Sequence, residues 1–322
     1  RAARLTKSPE AEEHASFSPD GKRVAFVRNH NLFVVEIESR EERALTTEGN
    51  AKLLFGELDW VYQEEIYGRG NFKAYWWSPY SKRLALLRLD ESEVKSFTVV
   101  DHLPVRQELE VTSYPKAGDP NPKVALGVVP ATGGPVKWVD TLEYDSYEPL
   151  IVRVGWTPDS GRVVYQVQNR EQTWLDLLAA DPETGIGKKL FRESSPAWVE
   201  VLGEPRWLKD GSFLWLSDRS GSRHIYRVSG GGRQATSLTS GPWDVQEIEG
   251  IDEVNGWANF TATKDSPVAS HIYRVKLDGS KLERISERPG NHAATFDDSS
   301  RYFIDTSSDA HTPPQTWLCR AD

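Results

Sequence analysis

The sequence predicts an all-β fold, a β-propeller of four-stranded blades, with about six blades in its 322 residues. Three observations predict it. A turn recurs, an aromatic followed by Ser/Thr-Pro-Asp-Gly or a decayed form of it. Short alternating strands follow each turn. Helical periodicity is nearly absent outside Asp59–Tyr67. Four short strands per module at a spacing of roughly 40–50 residues are what blades require, because a lone four-stranded sheet cannot bury both faces and stacked sheets can.

The turns come in order as Phe17-Ser18-Pro19-Asp20-Gly21, Trp77-Ser78-Pro79, Trp156-Thr157-Pro158-Asp159, Trp207-Leu208-Lys209-Asp210-Gly211, a turn near Ile251, and Phe296-Asp297-Asp298. Proline presets φ and glycine supplies the positive φ, so Asp20, Asp159 and Asp210 are expected to be turn-formers. Later strands in each module read Leu32-Phe33-Val34-Val35, Leu175-Asp176-Leu177-Leu178, His224-Ile225-Tyr226-Arg227-Val228 and His271-Ile272-Tyr273-Arg274-Val275. The last two are near copies, which assigns His224 and His271 to blade packing. A fourth strand is expected around Ala44-Leu45-Thr46, Ser237-Leu238-Thr239 and Arg284-Ile285-Ser286. The interval between the second and third turns is longer. Within it, Val94–Val100 and Gln107–Thr112 flank Pro104, so the insertion at about 90–122 reads as a β-hairpin arm. The whole chain, 1–322, reads as one propeller domain.

Composition narrows the function. The net charge is -9 and the pI about 5.4, with no Arg-rich run, so a nucleic-acid partner is disfavoured. No apolar stretch reaches the roughly 18 residues of a membrane-spanning helix. The single cysteine, Cys319, reads as a small core residue, and the seven histidines show no metal-ligand spacing with cysteine or acid. No metal and no cofactor is expected. The chain begins with Arg1 and holds no methionine, so the native start is not expected to be present.

The candidate site is Asp59-Trp60-Val61-Tyr62-Gln63-Glu64-Glu65-Ile66-Tyr67. Adjacent carboxylates are a poor core element, since burying like charges together is costly, and a good receptor for one small cation. A short helix is expected over 59–68, with Asp59 as its N-cap and the acids favoured near its start. Trp60, Tyr62 and Tyr67 are the packing supports, and Arg69 and Lys73 read as exposed surface cations.

This segment, followed by Ala74-Tyr75-Trp76-Trp77-Ser78-Pro79, closely resembles the N-terminal β-propeller domain of the dipeptidyl peptidase IV family, prolyl oligopeptidase-like serine peptidases whose members read Asp-Trp-Val-Tyr-Glu-Glu-Glu and then Trp-Trp-Ser-Pro. Further matches follow in the family's order over nearly all of the chain: Asp90–Val94, Tyr114–Gly118, Asn121-Pro122, Trp156–Asp159, Trp198–Val201, Leu238–Gly241 and Phe260–Thr263.

The resemblance implies an eight-bladed propeller followed by an α/β-hydrolase domain, with this chain expected to run from the third blade to near the end of the eighth. No Gly-x-Ser-x-Gly nucleophile elbow occurs in it, so the chain alone is expected to be inactive. By the resemblance, Glu64 and Glu65 bind the free N-terminal ammonium of a peptide, which fixes release of an N-terminal dipeptide. Gln63 departs from the family's third glutamate and is expected to be tolerated. The family's partner arginine from an earlier blade has no assignable counterpart. Glu200-Val201-Leu202 stand where some relatives carry an Arg-Phe pair lining the outer pocket, which puts that subsite in doubt. The resemblance also implies a homodimer formed through the arm, a hydrolase-domain partner, and a periplasmic or secreted setting. The competing readings are a non-catalytic protein-binding propeller scaffold and a pseudo-peptidase.

Overall fold

The computed structural model describes residues 3–321. They form six antiparallel blade sheets in chain order and one separate two-stranded hairpin. The chain divides into two compact units, one reaching to Arg192 with Pro196–Val199, the other holding Glu193–Ser195 and the residues from Glu200 onward. The first three sheets lie in the former, save the last two residues of the strand Gly187–Ser194, and the last three in the latter.

The first blade pairs Glu13–Phe17, Arg23–Arg28, Asn31–Glu36 and Glu42–Ala44 in simple up-and-down order. The third (Leu150–Trp156, Val163–Gln168, Trp174–Ala180, Gly187–Ser194), fourth (Arg206–Trp207, Phe213–Ser217, His224–Val228, Ala235–Ser237) and fifth (Val245–Asp252, Trp257–Ala262, His271–Lys276, Leu282–Arg284) repeat it. The sixth has three strands, Asn291–Phe296, Tyr302–Ser308 and Gln315–Arg320. All six modules expected from the turn signals are present, in register with them. The fourth strands Ala235–Ser237 and Leu282–Arg284 begin two residues before the expected ones.

The core lies between neighbouring sheets. In the first unit Ala25, Val27, Leu32 and Val34 meet Phe55, Tyr75, Leu84, Leu86 and Val129 of the second sheet. In the second unit Leu214 and Ile225 meet Val245, Ala258, Phe260, Tyr273 and Val275. Burial on both faces changes the expected alternation: every residue of Val163–Gln168 and of Trp257–Ala262 is buried. Cys319 is half-buried beside Phe303 and Ile272.

Two local devices repeat. At the end of the fourth strand a hydroxyl accepts the N–H that opens the third strand: Thr46 from Leu32 at 3.0 Å, Thr239 from Ile225 at 3.0 Å and Ser286 from Ile272 at 3.1 Å. The same hydroxyls meet Asn31, His224 and His271, which are therefore buried packing residues, as their repeat positions indicate.

The decayed turns are a second device. Gly21 and Gly211 take φ of +68° and +81°; in the turns that lack this glycine, Ser81, Ser160 and Ser300 take +59°, +58° and +53°. A non-glycine residue there is strained. The serine hydroxyl compensates by bonding the neighbouring blade's turn: Ser81 accepts from the N–H of Asp20 and Ser160 from that of Tyr80, each at 3.0 Å.

Candidate functional site

The second blade departs from the others at two places. Its first strand is split into Leu53–Phe55 and Tyr75–Trp77, both paired with Arg83–Asp90. The chain leaves the sheet at Gly56, whose φ of +75° requires glycine. It returns at Ala74, whose N–H donates to the Gly56 carbonyl at 2.9 Å. Glu57 bridges Lys73, and Leu58 N–H donates to Phe72, so the excursion has a short hairpin stem. The second departure is the arm. Asp90 pairs Lys123 at the sheet edge, and between them Ser96–Asp101 and Glu108–Ser113 form an independent hairpin, distinct from the blade.

The excursion holds the expected helix in a shorter and wider form. Helical backbone runs from Trp60, and Tyr62–Ile66 is π-helical, closed by the Tyr67 N–H donating to the Tyr62 carbonyl at 2.8 Å. Such wide turns are rare and concentrate at functional sites. Asp59 caps the element as expected, accepting from the N–H groups of Val61 at 3.2 Å and Tyr62 at 3.0 Å. It is buried, and that burial pushes its carboxyl up to about 6 against the lowering effect of the two N–H groups.

The supporting residues all engage. Tyr62 is fully buried, with its hydroxyl accepting from the Ile151 N–H at 3.4 Å. Tyr67 donates to the Ile151 carbonyl at 3.2 Å. Trp60 packs on Tyr114 at the arm's root, 4.2 Å between ring centres. Two further residues complete the frame: Arg153, which sequence reasoning passed over, and Gln63, which it read only as a tolerated departure from the family's pattern. Arg153, on the third blade, donates to the Ile66 carbonyl at 2.9 Å with its guanidinium 5.5 Å from the Tyr67 ring. Gln63 is buried and accepts from the Gly70 N–H at 2.9 Å, so it closes the loop that follows the acids. Arg153 carried no signal in the sequence because its contact is a backbone carbonyl far along the chain.

Glu64 is half-buried and Glu65 exposed. Arg69 is exposed as expected, by four-fifths, and it is also paired. Its Nε donates to Glu64 Oε1 at 2.6 Å, and a terminal nitrogen binds the same oxygen. The guanidinium's pKa is held above its ordinary value chiefly by Glu64, with Glu65 adding to the effect. The Glu64 carboxyl is correspondingly held below its usual range by Arg69. Lys73 departs from the expected exposure: it is half-buried, 5.2 Å from the Tyr75 ring, and its pKa is lowered by desolvation.

The fold also assembles groups that sequence spacing separates. Ligand atoms of Glu13, His14 and Glu57 lie within 4.8 Å of one another, and His30 Nδ1 contacts Glu57. No residue spacing signals this cluster, because Glu13 and His14 lie in the first blade and Glu57 in the excursion from the second. At the arm's root Glu91, buried and with its pKa raised by desolvation, accepts from Ser113 at 2.8 Å, and Lys52 donates to that serine at 2.6 Å.

Comparison with known proteins adds a context. Residues 1–314 match the family described as the dipeptidyl peptidase IV (DPP IV) N-terminal region. The chain is 32% identical over 323 residues to a "Probable dipeptidyl-aminopeptidase B" of Emericella nidulans, covering 90% of this chain and 35% of that protein. It is 31% identical to the same-named protein of Aspergillus terreus, over 90% of this chain and 35% of that protein. The crystal structure of Porphyromonas gingivalis dipeptidyl peptidase 4 superposes with a TM-score of 0.90 at 28% identity, covering 98% of this chain and 45% of that one. The chain thus spans about a third of the length of these curated relatives.

Proposed function

The chain belongs to the dipeptidyl peptidase IV N-terminal region family, and from that premise we propose that it is the substrate-gating propeller domain of a serine-type dipeptidyl peptidase, in which Glu64 and Glu65 anchor the free N-terminal ammonium of the peptide. The observation that carries this reading is Arg69. One cation already sits on Glu64, the neighbour of Glu65. An exposed ion pair of this kind contributes little net stability, so an incoming cation can take its place.

The chemistry suits an α-ammonium. Its pKa is about 7.7–8.0, so it is largely protonated at neutral pH. Two carboxylates can each accept a charge-assisted hydrogen bond from it, and two acceptors set orientation as well as position. An acetylated or mid-chain amide brings neither the charge nor the donors. Anchoring at a fixed distance from a serine nucleophile on a hydrolase domain makes the second residue the cleavage point. Asp59, Tyr62, Tyr67 and Arg153 support the reading by holding the turn from both ends.

The arm fits a second copy of the chain as partner. Phe97, Val99, Leu103, Val105, Leu109 and Val111 are exposed along it. An isolated two-stranded hairpin is marginal in water, and pairing with a second subunit covers those side chains.

The test is binding of Ala-Pro and N-acetyl-Ala-Pro to this chain, followed by NMR titration. The free dipeptide should bind about tenfold or more tighter, the worth of a charge-assisted hydrogen bond. Equal affinity for the two would favour the scaffold reading and set aside the anchoring role.

A further inference from the structure

We infer that the second unit carries an independent binding site for a small hydroxylated anion, in the cavity lined by the fifth and sixth blades. The cavity has a volume of about 530 Å³. Among the described residues its walls hold Arg274, Lys276, Arg301 and Arg320 against one acid, Asp252. In a protein of net charge -9, that local excess of cations runs against the whole.

The wall groups divide into fixed and free. Arg274 is bound to Glu283 at 2.9 Å and lies 4.4 Å from the Trp257 ring centre. The ammonium of Lys276 is 4.0 Å from the same centre and donates to the Asn255 carbonyl at 2.7 Å. Asp252 accepts from the Asn255 amide at 2.7 Å. These contacts build a fixed wall around Trp257 in which Glu283 and Asp252 balance Arg274 and Lys276, so the cavity's excess of cations comes from its other arginines. Arg301 differs: its guanidinium makes no hydrogen bond or ion pair among the described residues, and it stands at the cavity's edge.

The second, independent observation is Asn259. It lines the cavity, is 1% exposed, and neither its Nδ2 nor its Oδ1 has a partner among the described residues. Buried amides are almost always satisfied, so a group with both atoms orphaned needs an explanation. The pair asks for one acceptor and one donor side by side. An anionic oxygen next to a hydroxyl supplies both, while Arg301 takes the charge in the forked geometry suited to phosphate or carboxylate. The shared chemistry is therefore that of a phosphomonoester or a hydroxycarboxylate of a few carbons.

Calorimetric titration of the protein with sn-glycerol 3-phosphate against inorganic phosphate, and with malate against succinate, tests the site and separates the two sources. The hydroxylated member of at least one pair should bind about tenfold or more tighter than its hydroxyl-free counterpart. Arg301→Ala should weaken both members of that pair by about tenfold or more. Asn259→Leu should erase the preference between them while leaving the melting temperature of the ligand-free protein unchanged or raised, because it removes two unpaired polar atoms. Absence of binding at about 10 mM of all four, a preference that survives Asn259→Leu, or a fall in melting temperature with that variant would each overturn the assignment. The last would show that internal water already satisfies the amide.

Discussion

In the fifth blade the first strand runs unbroken from Val245 to Asp252, and the loop 263–270 joins the second strand to the third. In the second blade the same strand breaks at Gly56 to admit the π-helical excursion, and the corresponding loop swells into the arm. Both keep their paired ladders. The fifth blade packs Phe260, Tyr273 and Val275 in one cluster and buries the polar Asp252, Asn259 and His271 within its ladder. The second blade buries Glu57, Asp59 and Glu91 where it departs from the ladder. Interrupting a strand on an otherwise regular scaffold is thus one way this fold places ionisable groups in controlled surroundings, beside those its regular strands bury at Asp176 and Asp305.

The comparison breaks or sharpens under mutation. The largest effect should come from the regular blade: Phe260→Ala removes a fully buried ring and should cost about 3–5 kcal/mol in denaturant unfolding. A loss below about 1 kcal/mol would mean that the cluster around Phe260 is loosely packed.

In the interrupted blade the large term is electrostatic. The carboxyl of Asp59 rises from 3.8 to about 6. The folded protein therefore keeps a proton that the unfolded chain releases between about pH 4 and pH 6. Its contribution is complete below the unfolded value and is lost as pH rises through 6, a change of about 3 kcal/mol. Asp59→Asn keeps a capping oxygen and loses the titration. The wild type's stability relative to this variant should fall by about that amount from pH 4 to pH 7. A relative stability that is flat or rises with pH would contradict the burial argument.

The repeated devices should give intermediate effects. Thr239→Val strands the buried Ile225 N–H and takes a partner from His224, at a cost of about 1–3 kcal/mol. Ser81→Gly should lie within about 0.5 kcal/mol of wild type, since losing the bond to Asp20 is offset by relief of the positive φ. Ser81→Ala keeps the strain and loses the bond, so it should be the worse of the two. If the glycine variant is the worse, the added freedom of glycine in the unfolded chain outweighs the strain relieved at Ser81. The smallest effect on stability belongs to Arg69→Ala, which should leave the melting temperature unmoved and strengthen binding of a free N-terminus by removing its competitor.

The sequence announced the repeat because each blade reuses the same physics. The Pro-Asp-Gly turns and the Leu-Thr or Ile-Ser endings are local solutions written locally, and six blades could be located from them. The helix at 59–68 was legible through Asp59 as its cap, and the arm through alternation around Pro104. What stayed hidden depends on contacts between distant segments. Arg153 holds the turn through a carbonyl, which no residue pattern encodes. Lys73 became half-buried because the excursion's stem folds beside Tyr75. Arg69 looked like solvent-facing charge and is engaged only because Gln63 closes the loop back toward Glu64. The serines at positive φ looked like decayed turns, and only the neighbouring blade explains them.

The central claim is that Glu64 and Glu65 act together as a receptor for a peptide's amino terminus. Its most direct test is made in the full-length peptidase that this reading requires, with Glu64→Gln and Glu65→Gln combined. We predict that kcat/KM for release of a dipeptide from a free N-terminus falls about a hundredfold or more. Hydrolysis of a small ester lacking an amino group should continue at the wild-type rate, with the melting temperature unchanged. Unchanged dipeptide release would contradict the account, and so would loss of both activities together with a lower melting temperature, which would make the two acids structural.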